Sequence, residues 1–237
     1  MNKKRIVIIV IAIVLLLALG AGLCYLFFDY IPYQREKEER VAAMKAYYNE
    51  KLALYQKENE EYADYEVEVA FIGDSLTDGY DVERFYPEYK VENRGIGGET
   101  TYGLLARMDV SVYDLKPRVI VMLIGANNMK TMLDDYEQLI FDIEKNLPET
   151  KLIICSLTSM GKEWGKNNQL AAYNNVIIKA LALKHSCIFV DLYTPLLNIE
   201  TGEIFEHYTT DGGHLTEAGY IVLTENIKPA IAEALSK

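Results

Sequence analysis

Val119-Ile120-Val121-Met122-Leu123-Ile124-Gly125-Ala126-Asn127-Asn128 is a run of six apolar residues closed by a glycine, an alanine and two amides. A strand with one wet face alternates apolar and polar residues, whereas a parallel strand covered by helices on both faces is apolar throughout, and this run is of the second kind. Working outward, four more short β-rich runs occur at Val67–Ile72, Tyr89–Glu92, Leu152–Ser156 and Cys187–Asp191. Segments near Thr101–Met108, Asp134–Asn146 and Asn168–His185 carry apolar residues at helical spacing, and Thr216–Leu235 closes the chain as a last helix. Strands alternating with helices predict an α/β fold, a doubly wound sandwich around a mostly parallel sheet. Ligands of such sheets bind beyond the carboxyl ends of the strands, so chemistry is expected just after each run.

The first run ends in Phe71-Ile72-Gly73-Asp74-Ser75-Leu76-Thr77, which sets a serine at the sheet's carboxyl edge, where a nucleophile belongs. Its pattern differs from the Gly-x-Ser-x-Gly elbow and does not support the ordinary α/β-hydrolase fold. After the second run comes Asn93-Arg94-Gly95-Ile96-Gly97-Gly98-Glu99-Thr100-Thr101, read as a loop whose backbone N–H groups can approach a ligand closely. No lysine follows at the spacing of a phosphate loop, and a donor to an oxyanion fits better. Asn127, after the third run, is a further side-chain donor of that kind. Near the end of the chain, Asp211 and His214 lie three apart in Tyr208-Thr209-Thr210-Asp211-Gly212-Gly213-His214-Leu215-Thr216, close enough for the carboxylate to hold the ring Nδ1–H. His185 reads as a packing or helix-terminal residue, and His207 is the weaker rival base.

These four segments, in this order, resemble those of the SGNH (GDSL-like) serine hydrolases. Gly73-Asp74-Ser75-Leu76 is similar to their first block, Gly98 within Gly95-Ile96-Gly97-Gly98 to the second, Gly125-x-Asn127 to the third and Asp211-x-x-His214 to the last. Asn128 stands where many members carry aspartate and Leu215 where many carry proline. Both departures, with the Gly-Ile-Gly-Gly loop, are similar to the platelet-activating-factor acetylhydrolase branch. The resemblance implies a flavodoxin-like three-layer α/β/α sandwich on a five-stranded sheet and a catalytic triad of Ser75, Asp211 and His214. It also implies an oxyanion hole made by the Ser75 N–H, the Gly98 N–H and the Asn127 side chain. The expected activity is serine esterase, with no metal and no organic cofactor. Asp74, Tyr102 and Trp164 are candidate substrate contacts. The short stretches between blocks leave little room for a lid, which favours removal of acetyl groups from an acetylated glycan over two rivals, a lysophospholipase or thioesterase acting on lipid esters and a non-catalytic binding protein on the same fold.

The 237 residues suffice for one globular domain and an appendage. Asp and Glu outnumber Lys and Arg by 35 to 24, giving a net charge of −11 that argues against nucleic acid as a partner. Cys24, Cys155 and Cys187 show no metal spacing, and no structural disulfide is expected. Ahead of the domain, Asn2-Lys3-Lys4-Arg5 is followed by the uncharged apolar run Ile6–Phe28, long enough for a membrane span that needs ~20 helical residues. The competing cleaved signal peptide has a shorter apolar core and a small-x-small site, and neither is found here. The basic end stays in the cytoplasm, which puts the remainder outside a plasma membrane, on a bacterial cell surface. From Tyr33 to Tyr65 the composition is helical, and Val41, Met44, Tyr47, Tyr48, Leu52 and Tyr55 form one stripe that could pack on the domain or on a second copy as a homodimer. The expected organisation is thus residues 1–30 as basic tip and transmembrane helix, 31–65 as helical stalk and 66–237 as catalytic domain.

Overall fold

The structure, a computed structural model, describes residues 2–236. The chain divides into two units, one ending at Glu50 and one beginning at Lys51. In the first unit, helix α1 spans Lys3–Tyr25, a π-turn covers Leu26–Tyr30, and helix α2, Ile31–Asn59, runs on across the division. None of α1 is buried, and its apolar length fits a bilayer core of about 30 Å at a rise of about 1.5 Å per residue. By length and composition it can cross a membrane.

The second unit contains β1 (Val69–Gly73), α3 (Ser75–Asp78), α4 (Val82–Phe85), β2 (Val91–Gly95), α5 (Thr101–Ala106) and β3 (Val119–Leu123). After these come α6 (Met132–Asn146), β4 (Lys151–Cys155), α7 (Asn168–Lys184), β5 (Ile188–Val190), the two-stranded β6 (Leu197–Asn198) and β7 (Glu203–Ile204), and α8 (Glu217–Ser236). The five long strands form one sheet in the order β2-β1-β3-β4-β5, every pair parallel, with Val69 opposite both Val91 and Val119. Successive side chains point to opposite faces of a strand, so an apolar strand feeds two cores. Ala70, Ile72, Ile120 and Met122 pack with Leu104, Leu139, Ile143 and Ile178 of α5, α6 and α7. Val69, Phe71, Val121 and Leu123 pack on the other side with Val82 and with Leu223, Ile227 and Ile231 of α8. This is the expected three-layer sandwich. The chain leaves β1 for β2 on one side and reaches β3 on the other, which makes the crevice beyond β1 and β3 the place for a ligand.

One expectation needs correction. The second strand is Val91–Gly95 rather than Tyr89–Glu92, because Asn93 and Arg94, whose polarity suggests a loop, lie inside it. Arg94 is fully buried; its guanidinium pairs with Glu58 and Glu92 and lies 4.7 Å from the centre of the Tyr55 ring. The unit that holds the sheet begins at Lys51, and Tyr55, Glu58 and Asn59 at the end of α2 are part of its packing. Cys155 is buried, Cys187 partly so, Cys24 is exposed, and all three are free thiols.

Candidate active site

Ser75 opens α3 directly beyond β1. The turn that delivers it needs glycine, because a Cβ on Gly73 would lie 2.1 Å from the Leu123 carbonyl oxygen and 2.3 Å from Thr77 Oγ1. Asp74 caps α3, its carboxylate accepting the Leu76 N–H at 3.1 Å. Burial pushes the Asp74 carboxyl up to about 6, opposed by the Leu76 amide and by the nearby His214. Ser75 itself is half-buried.

Asp211 and His214 share one loop, joined to each other by bonds within it. One oxygen of Asp211 accepts the N–H groups of Gly213 at 2.8 Å and His214 at 2.7 Å, while the other meets His214 Nδ1 at 2.7 Å. These bonds, the His214 amide first, hold the Asp211 carboxyl well below the usual carboxylate range. The carbonyl of His214 is fastened by the Thr209 hydroxyl at 2.7 Å and the Thr210 N–H at 3.0 Å. Gly212 has a φ of +97° and touches the Gly161 carbonyl so closely that a Cβ there would lie 2.2 Å from it. The result is that His214 Nε2 lies 3.1 Å from Ser75 Oγ across the crevice, although the two are 139 residues apart.

Asn127 follows β3, exposed at the crevice, with its Nδ2 donating to the Glu99 carbonyl at 2.9 Å. A side-chain amide has two hydrogens, so one remains for a ligand. Gly98, exposed with φ +78°, precedes Glu99 on the loop after β2. Glu99 and Arg107 form a buried ion pair at 2.8 Å. Arg107 further donates to the carbonyls of Arg94 at 2.9 Å and Gly73 at 3.1 Å, which ties the ends of β2 and β1 to this loop. Asn128, the residue that departs from the common pattern, clasps Thr101 by its N–H at 3.3 Å and its hydroxyl at 2.9 Å. The Arg107 tie was invisible in the sequence, where Arg107 reads as one more polar position on a helix.

A cavity of about 50 Å³ adjoins Ser75 and His214, walled by Ala126, Thr158, Met160, Trp164 and Gly213, with Asp74, Leu76 and Asn127 also at its edge. Trp164 lies against Gly213, whose Cβ, if it had one, would be 3.3 Å from the indole. Trp164 and Asn127 also line a larger open groove of about 410 Å³ with Asn128, Lys130, Thr131 and Asn167. Of the candidate substrate contacts, Asp74 and Trp164 are at the cavity, whereas Tyr102, 70% exposed on α5, lines neither space. Thr158 and Met160 were missed in the sequence; their place just past a strand's carboxyl end was the signal available. His185 closes α7 and bridges Glu137 and Glu144 at 3.0 and 2.9 Å, and His207 lies against Tyr208, so neither ring is at Ser75. Among the described residues, no group of three or more His, Cys, Asp or Glu is placed to hold a metal ion.

A hydroxyl, an imidazole and a carboxylate in this chain of contacts, with the Asn127 side-chain amide at the same cavity, can transfer an acyl group through the serine. The family model of the GDSL-like Lipase/Acylhydrolase family matches residues 71–222, and the chain belongs to that family. It is a serine ester hydrolase. The chain is similar to the alpha2 subunit of platelet-activating factor acetylhydrolase IB from Rattus norvegicus, 28% identical over 190 residues that cover 73% of this chain and 80% of that protein. Its fold is shared by a GDSL-like lipase from Bacteroides thetaiotaomicron, with a TM-score of 0.69 and 27% identity over 77% of this chain and 98% of that one. An acetylxylan esterase from Geobacillus stearothermophilus shares it too, with a TM-score of 0.59 and 22% identity over 71% and 95% of the two chains.

Proposed function

We propose that this protein is a membrane-anchored, extracytoplasmic esterase that removes short acyl groups, acetyl first, from a carbohydrate. His214 Nε2 takes the proton of Ser75 Oγ as the oxygen attacks the ester carbonyl, and Asp211 stabilises the imidazolium. The negative charge that develops on the carbonyl oxygen is met by the N–H groups of Ser75 and Gly98 and by Asn127 Nδ2. The alcohol leaves with the proton from His214, and water activated by the same ring then releases the acid from Ser75.

The observation that carries the acyl preference is the size of the cavity beside Ser75, about 50 Å³. An apolar cavity of ~150 Å³ accepts the six carbons of benzene, so this one has room for roughly two. The adjoining groove, with its indole and hydrogen-bonding side chains, suits a pyranose as the alcohol part. The basic residues Lys3, Lys4 and Arg5, which begin α1 ahead of its apolar run, favour an N-terminus in the cytoplasm, with the catalytic unit outside.

The test is hydrolysis of p-nitrophenyl esters from acetyl to octanoyl by the full chain in detergent, beside Ser75→Ala and Trp164→Ala. Acetyl should be the best substrate, Ser75→Ala should abolish turnover, and Trp164→Ala, by joining the cavity to the groove, should shift the optimum to butanoyl or longer. A wild-type rate that climbs steadily from acetyl to octanoyl would sink the short-acyl reading.

A further inference from the structure

The end of helix α2 lies outside the segment matched by the family model, which begins at residue 71, yet it reaches the two elements on which the reaction depends. Tyr55 is 1% exposed, and its hydroxyl donates to the Gly95 carbonyl oxygen at 2.6 Å. Gly95 is the joint between those elements. It ends β2 and starts the Gly95–Gly98 loop, and its α-carbon rests so closely on α3 that a Cβ would lie 2.3 Å from the Asp78 nitrogen and 2.7 Å from the Thr77 carbonyl carbon. One turn earlier on α2, Lys51 pairs with Asp78, the last residue of the short helix that Ser75 begins, at 2.6 Å. One turn later, Glu58 pairs with the fully buried Arg94, whose own carbonyl is held by Arg107 at 2.9 Å. Three consecutive turns of α2 therefore grip the C-terminal end of the serine helix, the joint and the residue before it.

We infer that Tyr55 is a positioning residue for catalysis: by fixing the Gly95 carbonyl it sets the Gly98 N–H and the Ser75 N–H at the separation an oxyanion requires. Donors of this kind act through placement before the reaction, so a small displacement weakens transition-state binding while substrate binding is nearly unchanged. Without the hydroxyl, the Gly95–Ile96 peptide that opens the donor loop is held only on its other side, by the Ile96 N–H on the Gly73 carbonyl at 3.2 Å, and tilts more easily. The same contact makes catalysis depend on the helix that runs on from the apolar anchor, because Tyr55 is a residue of that helix. The inference rests on the oxyanion role proposed for Gly98 and Ser75.

The experiment is Tyr55→Phe in the full chain in detergent, which removes one hydroxyl and leaves the ring under Arg94. Steady-state kinetics on p-nitrophenyl acetate, the rate of labelling by a fluorophosphonate and thermal unfolding are measured together. A fall of about ten-fold in kcat and in the labelling rate is expected, KM changing less than two-fold, at a temperature where both proteins are fully folded; it is set below the effect of losing one donor outright. Asp64→Ala, which removes the exposed Lys116 pair from the same stretch of chain, should leave kcat at the wild-type value. A kcat for Tyr55→Phe equal to wild type, or a loss matched by the fraction unfolded, would overturn the inference. A wild-type chain that neither turns over ester nor labels would instead overturn the esterase mechanism beneath it.

Discussion

Asp211 and His214 stand on a single loop, whereas the three donors proposed to face them come from the ends of β1, β2 and β3. The loop carries its own geometry. Asp211 accepts two amides within three residues of itself, and the Thr209 and Thr210 groups fasten the His214 carbonyl, so the bonds that join carboxylate and ring lie within the loop, which the Gly161 N–H docks at the Gly212 carbonyl at 2.8 Å. The donor side has local bonds as well, the Gly95 N–H to Asn93 Oδ1 at 2.9 Å and the Glu99 N–H to the Ile96 carbonyl at 3.2 Å, but it leans more on remote elements. Its loop is held by Arg107 just past α5, Asn127 from beyond β3 and Tyr55 from α2, each from a different part of the fold. Local constructions tolerate a changed neighbour elsewhere in the fold, while a surface assembled from several elements registers every one of them.

Asp211→Asn is expected to have the largest effect of the changes that probe this contrast. Its remaining oxygen can still accept the Gly213 and His214 amides, so thermal stability should stay near wild type. Its NH₂ group faces His214 Nδ1 and imposes the wrong tautomer, with a loss in kcat on p-nitrophenyl acetate of about 10⁴-fold. A large drop in melting temperature would show that the loop is not self-sufficient. Asn127→Ala comes next, removing one donor and the clasp on Glu99, with kcat down by roughly 10²–10³-fold at little change in KM. An effect confined to KM would mean that Asn127 binds the ground state instead.

The smallest effect concerns Asp74, which sits between the two sides. Burial raises its folded value to about 6, above the ~3.9 of an unfolded chain, so the stability it supports is full below about 4 and is lost as pH rises through about 6. Asp74→Asn keeps an acceptor for the Leu76 N–H and carries no charge to bury. Its melting temperature relative to wild type should therefore improve between pH 4.5 and pH 8, by roughly 4–8 °C. A gain that shrinks over that range would show that the carboxylate is better accommodated than the protonated acid, with His214 as the compensating charge.

What could be seen in the chain before folding follows the same division. Val119–Ile124 and the companion runs announced a buried parallel sheet because apolarity on both sides of a strand is a property of consecutive residues. The spacing of Asp211 and His214 was readable for the same reason, since a carboxylate three residues ahead of a histidine can reach it within one turn. Arg94 defeated the reading of the second strand, as a charge inside a strand is tolerable only when partners arrive from elsewhere, here Glu58, Glu92 and the face of Tyr55. The packing of Tyr55, Glu58 and Asn59 was hidden with it, for the end of α2 is indistinguishable in composition from the solvated helix before it. Residue order by itself determined the layers of the sandwich, the apolar N-terminal helix and the serine, histidine and carboxylate of the candidate site, because each is written in neighbours a few positions apart. Only the tertiary structure decided the 3.1 Å approach of His214 to Ser75, the wall of Trp164 against Gly213 and the grip of Tyr55 on Gly95, because these join segments whose separation along the chain carries no information about their distance in space.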